Sequence, residues 1–477
     1  MNCIGIPVCC AALILHLDFN SIQMRKDAVI GHLRTAAAAG YTAVLWEVED
    51  KIRWETCPEC VHPEAFSKRE FRTILEEADR LGLEPIPLLQ TFGHAEYILR
   101  REKYRAWREN PEIPTCYCVS KPEVRVFLKK FIAEYLELFG GRVREFHLGG
   151  DEARQFGTCP VCSKRNRFEL YNEHLNEVAD ILRARGVRAA IWCDMMLTKT
   201  DRSQVNRFPK DLTAWYWDYY FGFEGGKNAS LWAGKVNLLI EGGYPVVFAP
   251  ASGSCGDSAF LPLYGRHLAN VVASADFARR HRLRGLCMTS WSVHLYPKRL
   301  QYPLWELGAK RFLDPGETTD ADVAAVLRRR LGPIGAETLC RLTQWDLRLQ
   351  NFDCRFTDYA GKCAQPFPSG TALRKIALNE SQYKDYRAPD ADEILRLRSG
   401  IAAALKEVEA VGSPADDLRV FADGARLTVR HLSALAELRK TLKRPNGLPI
   451  EETLEFYLRE QTPQSATNSM RLVWDPL

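Results

Sequence analysis

Short apolar, β-rich runs alternate along the first 300 residues with longer stretches whose apolar positions recur every three or four residues. The runs are AALILHLDF, YTAVLWEV, EPIPLLQTF, VREFHLGG, RAAIWCDMM, LTAWYWDY, PVVFAPAS and RGLCMTSWS, ending near residue 292. Between them lie helical patterns such as FRTILEEADRLG and VRVFLKKFIAEYLELFG, each with a glycine after its last turn, where a helix stop needs one. Strand then helix, eight times over, predicts an α/β chain folded as a closed parallel (β/α)8 or TIM barrel. An open doubly wound sheet fits less well, because no glycine-rich dinucleotide loop follows the first strand.

Beyond about residue 313 the period changes. DADVAAVLRRRLG, ETLCRLTQWDLRLQ, ADEILRLRSGIAAALKEVEAVG and LRVFADGARLTVRHLSALAELRKTL are all helical. The expected organisation is therefore a catalytic barrel over 1–312 and a C-terminal α-helical domain over 313–477. The tail's lysines and arginines read as a solvated helix face, and nothing in it chooses between closing a pocket and building a homodimer.

The N-terminal MNCIGIPVCCAALILHLDF lacks the basic start of a secretory leader and flows into the first helix pattern, so it reads as the first core strand. No other run approaches the roughly 20 apolar residues of a membrane span. With 65 basic and 60 acidic residues, the net charge of +5 gives no reason to expect a nucleic-acid partner. Fifteen cysteines, an odd number without a credible leader, point to a reducing, cytoplasmic setting.

Reactive groups of such a barrel gather at the C-terminal strand ends. Those ends carry Asp18 and Asn20; Trp46, Glu47, Glu49 and Asp50; Gln90 and His94; His147, Asp151 and Glu152; Trp192 and Asp194; Trp215 to Tyr219; Ser252; and Trp291, Ser292 and His294. Indoles ringed by carboxylates suit a sugar, whose faces are C–H and whose rim is hydroxyl. Asp151 and Glu152 stand side by side after FHLGG. Two close carboxylates push their pKa values apart, so one is expected to keep a proton while the other stays charged. The two glycines let the backbone bend and a ligand approach.

HLGGDE resembles the catalytic signature of glycoside hydrolase family 20, the β-N-acetylhexosaminidases. HLDFN, WEVEDKIRW, PLLQTFGHAEYIL and IWCDMM resemble the strand ends of its hexosaminidase D branch, while RHLANV and GLCMTSW match less well. The resemblance covers about residues 13 to 300 and implies an exo-acting β-N-acetylhexosaminidase working by substrate-assisted retaining hydrolysis, in which the sugar's own 2-acetamido oxygen attacks the anomeric carbon. It implies Glu152 as general acid and then base, and Asp151 as the group that orients the acetamide, with help from Tyr219 or Tyr216. Trp192, Trp217 and Trp291 would wall the pocket with Asp194, while His94 and His147 would support the acids, and no cofactor is required for catalysis. FAPASGSCGD and WSVH depart from the family's strand-seven and strand-eight patterns, which leaves GlcNAc and GalNAc both open as the terminal β-linked sugar. The rivals are a catalytically silent glycan-binding barrel and a metal-dependent barrel hydrolase using His94 and His147.

Cys57-Pro-Glu-Cys60 and Cys159-Pro-Val-Cys162 both have zinc-ligand spacing, with Cys116-Tyr-Cys118 between them. The two C-x2-C pairs meeting would make a closed, structural four-cysteine zinc site from Cys57, Cys60, Cys159 and Cys162.

Overall fold

In a computed structural model, the residues described are 11–20, 22–197, 202–223, 234–254, 257, 260–292, 296–314, 316, 319–343, 391–411 and 416–442. The expected position of His294 and the polar segment TPQSATNS lie outside them.

Eight parallel strands close on themselves. They are β1 (Ala12–Asp18), β2 (Ala43–Glu47), β3 (Glu84–Leu88), β4 (Glu145–His147), β5 (Arg188–Trp192), β6 (Thr213–Trp217), β7 (Val246–Ala249) and β8 (Gly285–Ser290). Each pairs with its successor, and β8 returns to β1 with Ala12 opposite Gly285 and Leu15 opposite Met288. The chain is thus a (β/α)8 barrel, as the alternation of runs predicts.

The outer helices start and stop where local chemistry dictates. Helix α1 (Lys26–Ala39) ends at Gly40, which adopts a left-handed φ of 97°. Helix α2 (Lys68–Arg80) opens with a capping box: the Ser67 hydroxyl accepts the Glu70 N–H, and the Glu70 carboxylate accepts the Ser67 N–H at 2.8 Å. Helix α3 (Pro122–Phe139) starts on a proline and stops at Gly140; α4 (Arg167–Arg183) is capped by Asn166. Between barrel and helices, Trp46 meets Phe71 edge-on at 5.4 Å, and Trp54 stacks on Tyr135 at 4.3 Å.

Strand β3 explains a weak seam. The Glu84 N–H donates to Thr42 on the β2 side, and the Leu89 N–H donates to His147 O on the β4 side. Positions 85 and 87 therefore face β4, and both are proline, so no donor is available there. The β3–β4 pairing shrinks to Leu88 opposite His147, so the two strands are held together at the end from which the acid pair follows.

The barrel interior is partly polar. Glu145 on β4 accepts from Thr213 Oγ1 at 3.0 Å, Trp215 Nε1 at 3.1 Å and Arg284 Nη2 at 2.9 Å, so a buried carboxylate is fully compensated. Among the described residues no helix is long and apolar enough to cross a membrane.

The described chain forms two compact units. One contains the barrel strands, from 1–251, 272–289 and 311–315; the other takes 252–271, 290–310 and 316–477. Within the second unit, helices Asp320–Thr343, Ala391–Glu409 and Asp416–Leu442 bury Leu331, Leu339, Ile394, Ile401, Phe421 and Leu432 in one core with Leu261, Leu300 and Leu304. A Cβ on Gly424 would lie 2.5 Å from the Phe260 carbonyl, so that glycine is what admits the close approach. This unit also holds a buried polar knot: His267 Nε2 and Arg266 Nη2 both meet Asp257, at 2.8 and 2.5 Å, and the Tyr296 hydroxyl donates to the same carboxylate at 2.7 Å.

Candidate active site

The segment after β4 is held on both sides before it reaches the acids. The Leu148 N–H donates to Ala190 O at 2.7 Å, Leu148 O accepts from Thr91 Oγ1 at 2.7 Å, and Gly149 O accepts the Trp192 N–H at 2.9 Å. Gly149 and Gly150 take φ values of 67° and 95°, and a Cβ on Gly149 would lie 2.0 Å from Gln90 Oε1. Only glycine satisfies both the backbone angle and the space. Glu152 itself sits at φ 43°, an unusual position for a side-chain-bearing residue, and its N–H is fixed by Asp194 Oδ2 at 2.9 Å.

His94 stands between the two acids, with Nε2 3.4 Å from Asp151 Oδ2 and 3.6 Å from Glu152 Oε2. Burial alone would lower its pKa, but the Asp151 charge and the Glu152 hydrogen bond raise it to about 10, so the ring is an imidazolium at neutral pH. Burial pushes Asp151 up to about 6, against the pull of His94 and with Glu47 and Glu152 adding to the rise. Glu152 goes the other way, down to about 2, through its hydrogen bond to His94 and then the charges of His94 and Arg154. Arg154 Nη2 reaches Glu152 Oε1 at 2.9 Å. The two carboxyls are split, with the proton on His94 and Glu152 the more acidic of the pair. The sequence could not show this, because the split is decided by a cation from the β3 loop.

The second ring of contacts is acidic as well. Asp194 accepts Trp217 Nε1 at 3.4 Å, and burial together with the Asp151 charge lifts it to about 7. Glu47 is tied to His16 Nε2 at 3.0 Å and accepts from Gln90 Nε2 at 3.1 Å. Beside it Glu49 lies buried at φ 40°, its pKa raised well above normal by burial and by Glu47 and Asp50.

The structure brings His94, Asp151, Glu152, Asp194 and Trp217 together. Tyr219 stacks on Trp217 at 5.4 Å, whereas Tyr216 is buried against Phe248 at 5.1 Å. His147 acts indirectly. It is buried and neutral, and its Nδ1 accepts the Gly149 N–H at 3.1 Å, shaping the turn. Trp192 is fully buried against His147 and Trp215, 4.4 and 5.7 Å away, as packing rather than an open wall. Trp291 belongs to the second unit, where its N–H donates to Gly253 O at 3.1 Å. Arg154 escaped the sequence reading, although its place two residues after the acid pair was a signal.

Residues 43–252 match glycosyl hydrolase family 20, catalytic domain. Over that span the barrel is similar to the family 20 catalytic domain. The chain is accordingly a glycoside hydrolase, and its relatives agree with the hexosaminidase D likeness. It is 29% identical over 297 residues to Hexosaminidase D of Bos taurus, covering 58% of this chain and 83% of the relative. To Hexosaminidase D of Homo sapiens it is 26% identical over 296 residues, covering 58% of this chain and 59% of that protein's length. In fold, the β-N-acetylhexosaminidase of Bacteroides fragilis superposes with a TM-score of 0.53 at 16% identity, covering 67% of this chain and 70% of that one.

The cysteines of the barrel loops correct one expectation. Cys57 and Cys60 do not meet Cys159 and Cys162. Their loop is fastened to α3, where Glu134 accepts the Glu55 and Thr56 N–H groups at 2.6 and 2.9 Å. Among the described residues, Glu109, Cys118, Cys159 and Cys162 form the cluster instead.

Proposed function

We propose that the family 20 domain is an exo-acting β-N-acetylhexosaminidase that releases terminal β-linked GlcNAc or GalNAc by substrate-assisted retaining hydrolysis. The observation that carries this reading is the contrast between the two acids. Asp151 is buried and its Oδ1 receives no hydrogen bond, whereas Glu152 is 38% exposed at its side chain and edges the opening. A buried acceptor lacking a donor is costly, and an acetamide N–H supplies one. Asp151 thereby turns the acetamide so that its carbonyl oxygen attacks the anomeric carbon. The C1–leaving-group bond breaks as that C–O bond forms, with the positive charge shared across an oxazolinium ring. The Tyr219 hydroxyl, on a ring stacked against Trp217, steadies the acetamide oxygen in this reading.

Glu152 protonates the departing oxygen and afterwards takes a proton from the water that opens the ring. Its low pKa in the free protein depends on the Arg154 and His94 contacts. A glycan that displaces Arg154 and excludes water raises that pKa, which couples the acid's readiness to occupancy of the site.

Chromogenic β-GlcNAc and β-GalNAc substrates test the proposal, each beside its 2-hydroxy counterpart. Glu152→Gln is expected to lower kcat by about 100- to 10,000-fold, the usual worth of a general acid. Asp151→Asn should remove the preference for the acetamido sugar. No turnover of either sugar by the wild type would sink the hexosaminidase reading, and equal turnover of the 2-hydroxy compounds would rule out substrate assistance alone.

A further inference from the structure

Four ligand-bearing side chains converge beside the acid-bearing loop. A hairpin follows β3, built from Arg108–Asn110 paired antiparallel with Ile113–Tyr117. Glu109 lies in its first strand, and Cys118 comes directly after its second. Cys159 and Cys162 come from the loop after β4, seven and ten residues beyond Glu152. One ligand atom from each lies within 4.8 Å of every other.

The spacing can be checked against a metal. A tetrahedral ion at about 2.3 Å from each sulfur sets sulfur–sulfur edges of about 3.8 Å. Cys118 Sγ is 3.7 Å from Cys159 Sγ and 3.8 Å from Cys162 Sγ. A disulfide would require about 2.05 Å. Glu109 supplies the second observation: it is 1% exposed, and its Oε2 is buried without a hydrogen bond. Its Oε1 is occupied by the Cys159 N–H at 2.9 Å, which aims the other oxygen. A buried carboxylate oxygen left without a donor is expensive unless a cation meets it. Outer contacts of the kind that orient thiolate ligands are in place too: the Cys162 N–H donates to Cys159 Sγ at 3.3 Å, and Ser120 Oγ lies 3.0 Å from Cys162 Sγ.

We propose that Glu109, Cys118, Cys159 and Cys162 form a site of three cysteines and one glutamate for a structural zinc ion. Three thiolates and one carboxylate close the tetrahedron and leave no position for a substrate or water. The ion binds the β3 hairpin to the loop that begins with Asp151 and Glu152, so it fixes the frame of the acid pair without entering the chemistry. This inference stands on the cluster alone and is independent of the hexosaminidase reading.

Full-length protein purified under reducing conditions without chelator should carry one zinc per chain by elemental mass spectrometry. Exchange for Co2+ should produce sulfur-to-cobalt charge transfer of three-thiolate strength with visible bands of a tetrahedral ion. Cys118→Ser and Cys159→Ser should lose the metal, Glu109→Gln should release it to a lower chelator concentration, and Cys57→Ser and Cys60→Ser should retain it. Absence of both zinc and the cobalt bands in the wild type overturns the proposal. So does metal lost from Cys57→Ser and Cys60→Ser but kept by Cys118→Ser, or a Cys118–Cys159 disulfide in peptides mapped from freshly purified protein. Where Cys118→Ser or Cys159→Ser fails to fold, the wild-type cobalt spectrum and Glu109→Gln decide.

Discussion

Gly149→Ala tests how the turn after β4 holds the acid pair. The native φ of 67° costs a residue with a Cβ about 1–2 kcal/mol. The new methyl would also stand 2.0 Å from Gln90 Oε1, 2.7 Å from its Cδ and 3.0 Å from its Cα, so the Gln90 side chain must leave. When it leaves, Glu47 loses the amide donor now 3.1 Å away, and a buried carboxylate short of one donor adds about 1–3 kcal/mol. The expected loss is about 2–5 kcal/mol in urea denaturation. Because the same turn sets Asp151 and Glu152, a displacement of about 1 Å should also lower kcat on a chromogenic N-acetylhexosaminide by about 100-fold. The steric share is separable: in a Gln90→Ala background the methyl meets no amide, so Gly149→Ala should cost only the backbone share there, a coupling of about 1–3 kcal/mol. Loss of less than about 0.5 kcal/mol with unchanged kcat, or an equal penalty in both backgrounds, would refute this account of the turn.

Three further outcomes follow from the site's charges and rings. His94 is held near pKa 10 in the folded chain against 6.5 for a free histidine, so its stabilisation is complete below about pH 6.5 and fades as pH rises through about 10. The stability gap between wild type and His94→Gln should therefore be widest near pH 6.5 and narrow towards pH 10 in denaturant titrations; a gap independent of pH would contradict the imidazolium. Asp194, raised to about 7 from 3.8, keeps its proton when folded after the unfolded chain has lost it, so wild-type stability falls between about pH 4 and 7. Asp194→Asn lacks that slope and should gain on the wild type across the window, which thermal melts at stepped pH would show. Tyr219→Phe keeps the stacking on Trp217 but loses the hydroxyl; it should lower kcat for acetamido substrates with melting temperature unchanged, and an unaltered kcat would remove Tyr219 from the mechanism.

Much of the barrel was legible because apolar runs and helical periods are local. The eight runs became β1 to β8, and the glycine stops at Gly82 and Gly140 fell where the periods ended. The acid pair was legible for the same reason, since strand-end position follows once strands are counted. The roles of the aromatic residues were less so: Trp192, Tyr216 and Trp217 differ by which way a strand turns them, and only the register separates packing from pocket.

The sequence by itself determined that a parallel barrel would form and that its fourth strand would end in GGDE, since hydrophobic period and glycine placement act within a few residues. The tertiary structure alone decided what depends on groups far apart in the chain. His94, 57 residues before Asp151, makes Glu152 the more acidic of the pair. Glu109 and Cys118, rather than Cys57 and Cys60, meet the second C-x2-C pair, because the hairpin after β3 reaches that loop while Glu134 ties the other loop away. Charge balance and ligand geometry depend on distances of a few ångströms, and those distances are set only when separate loops are brought to the same end of the barrel.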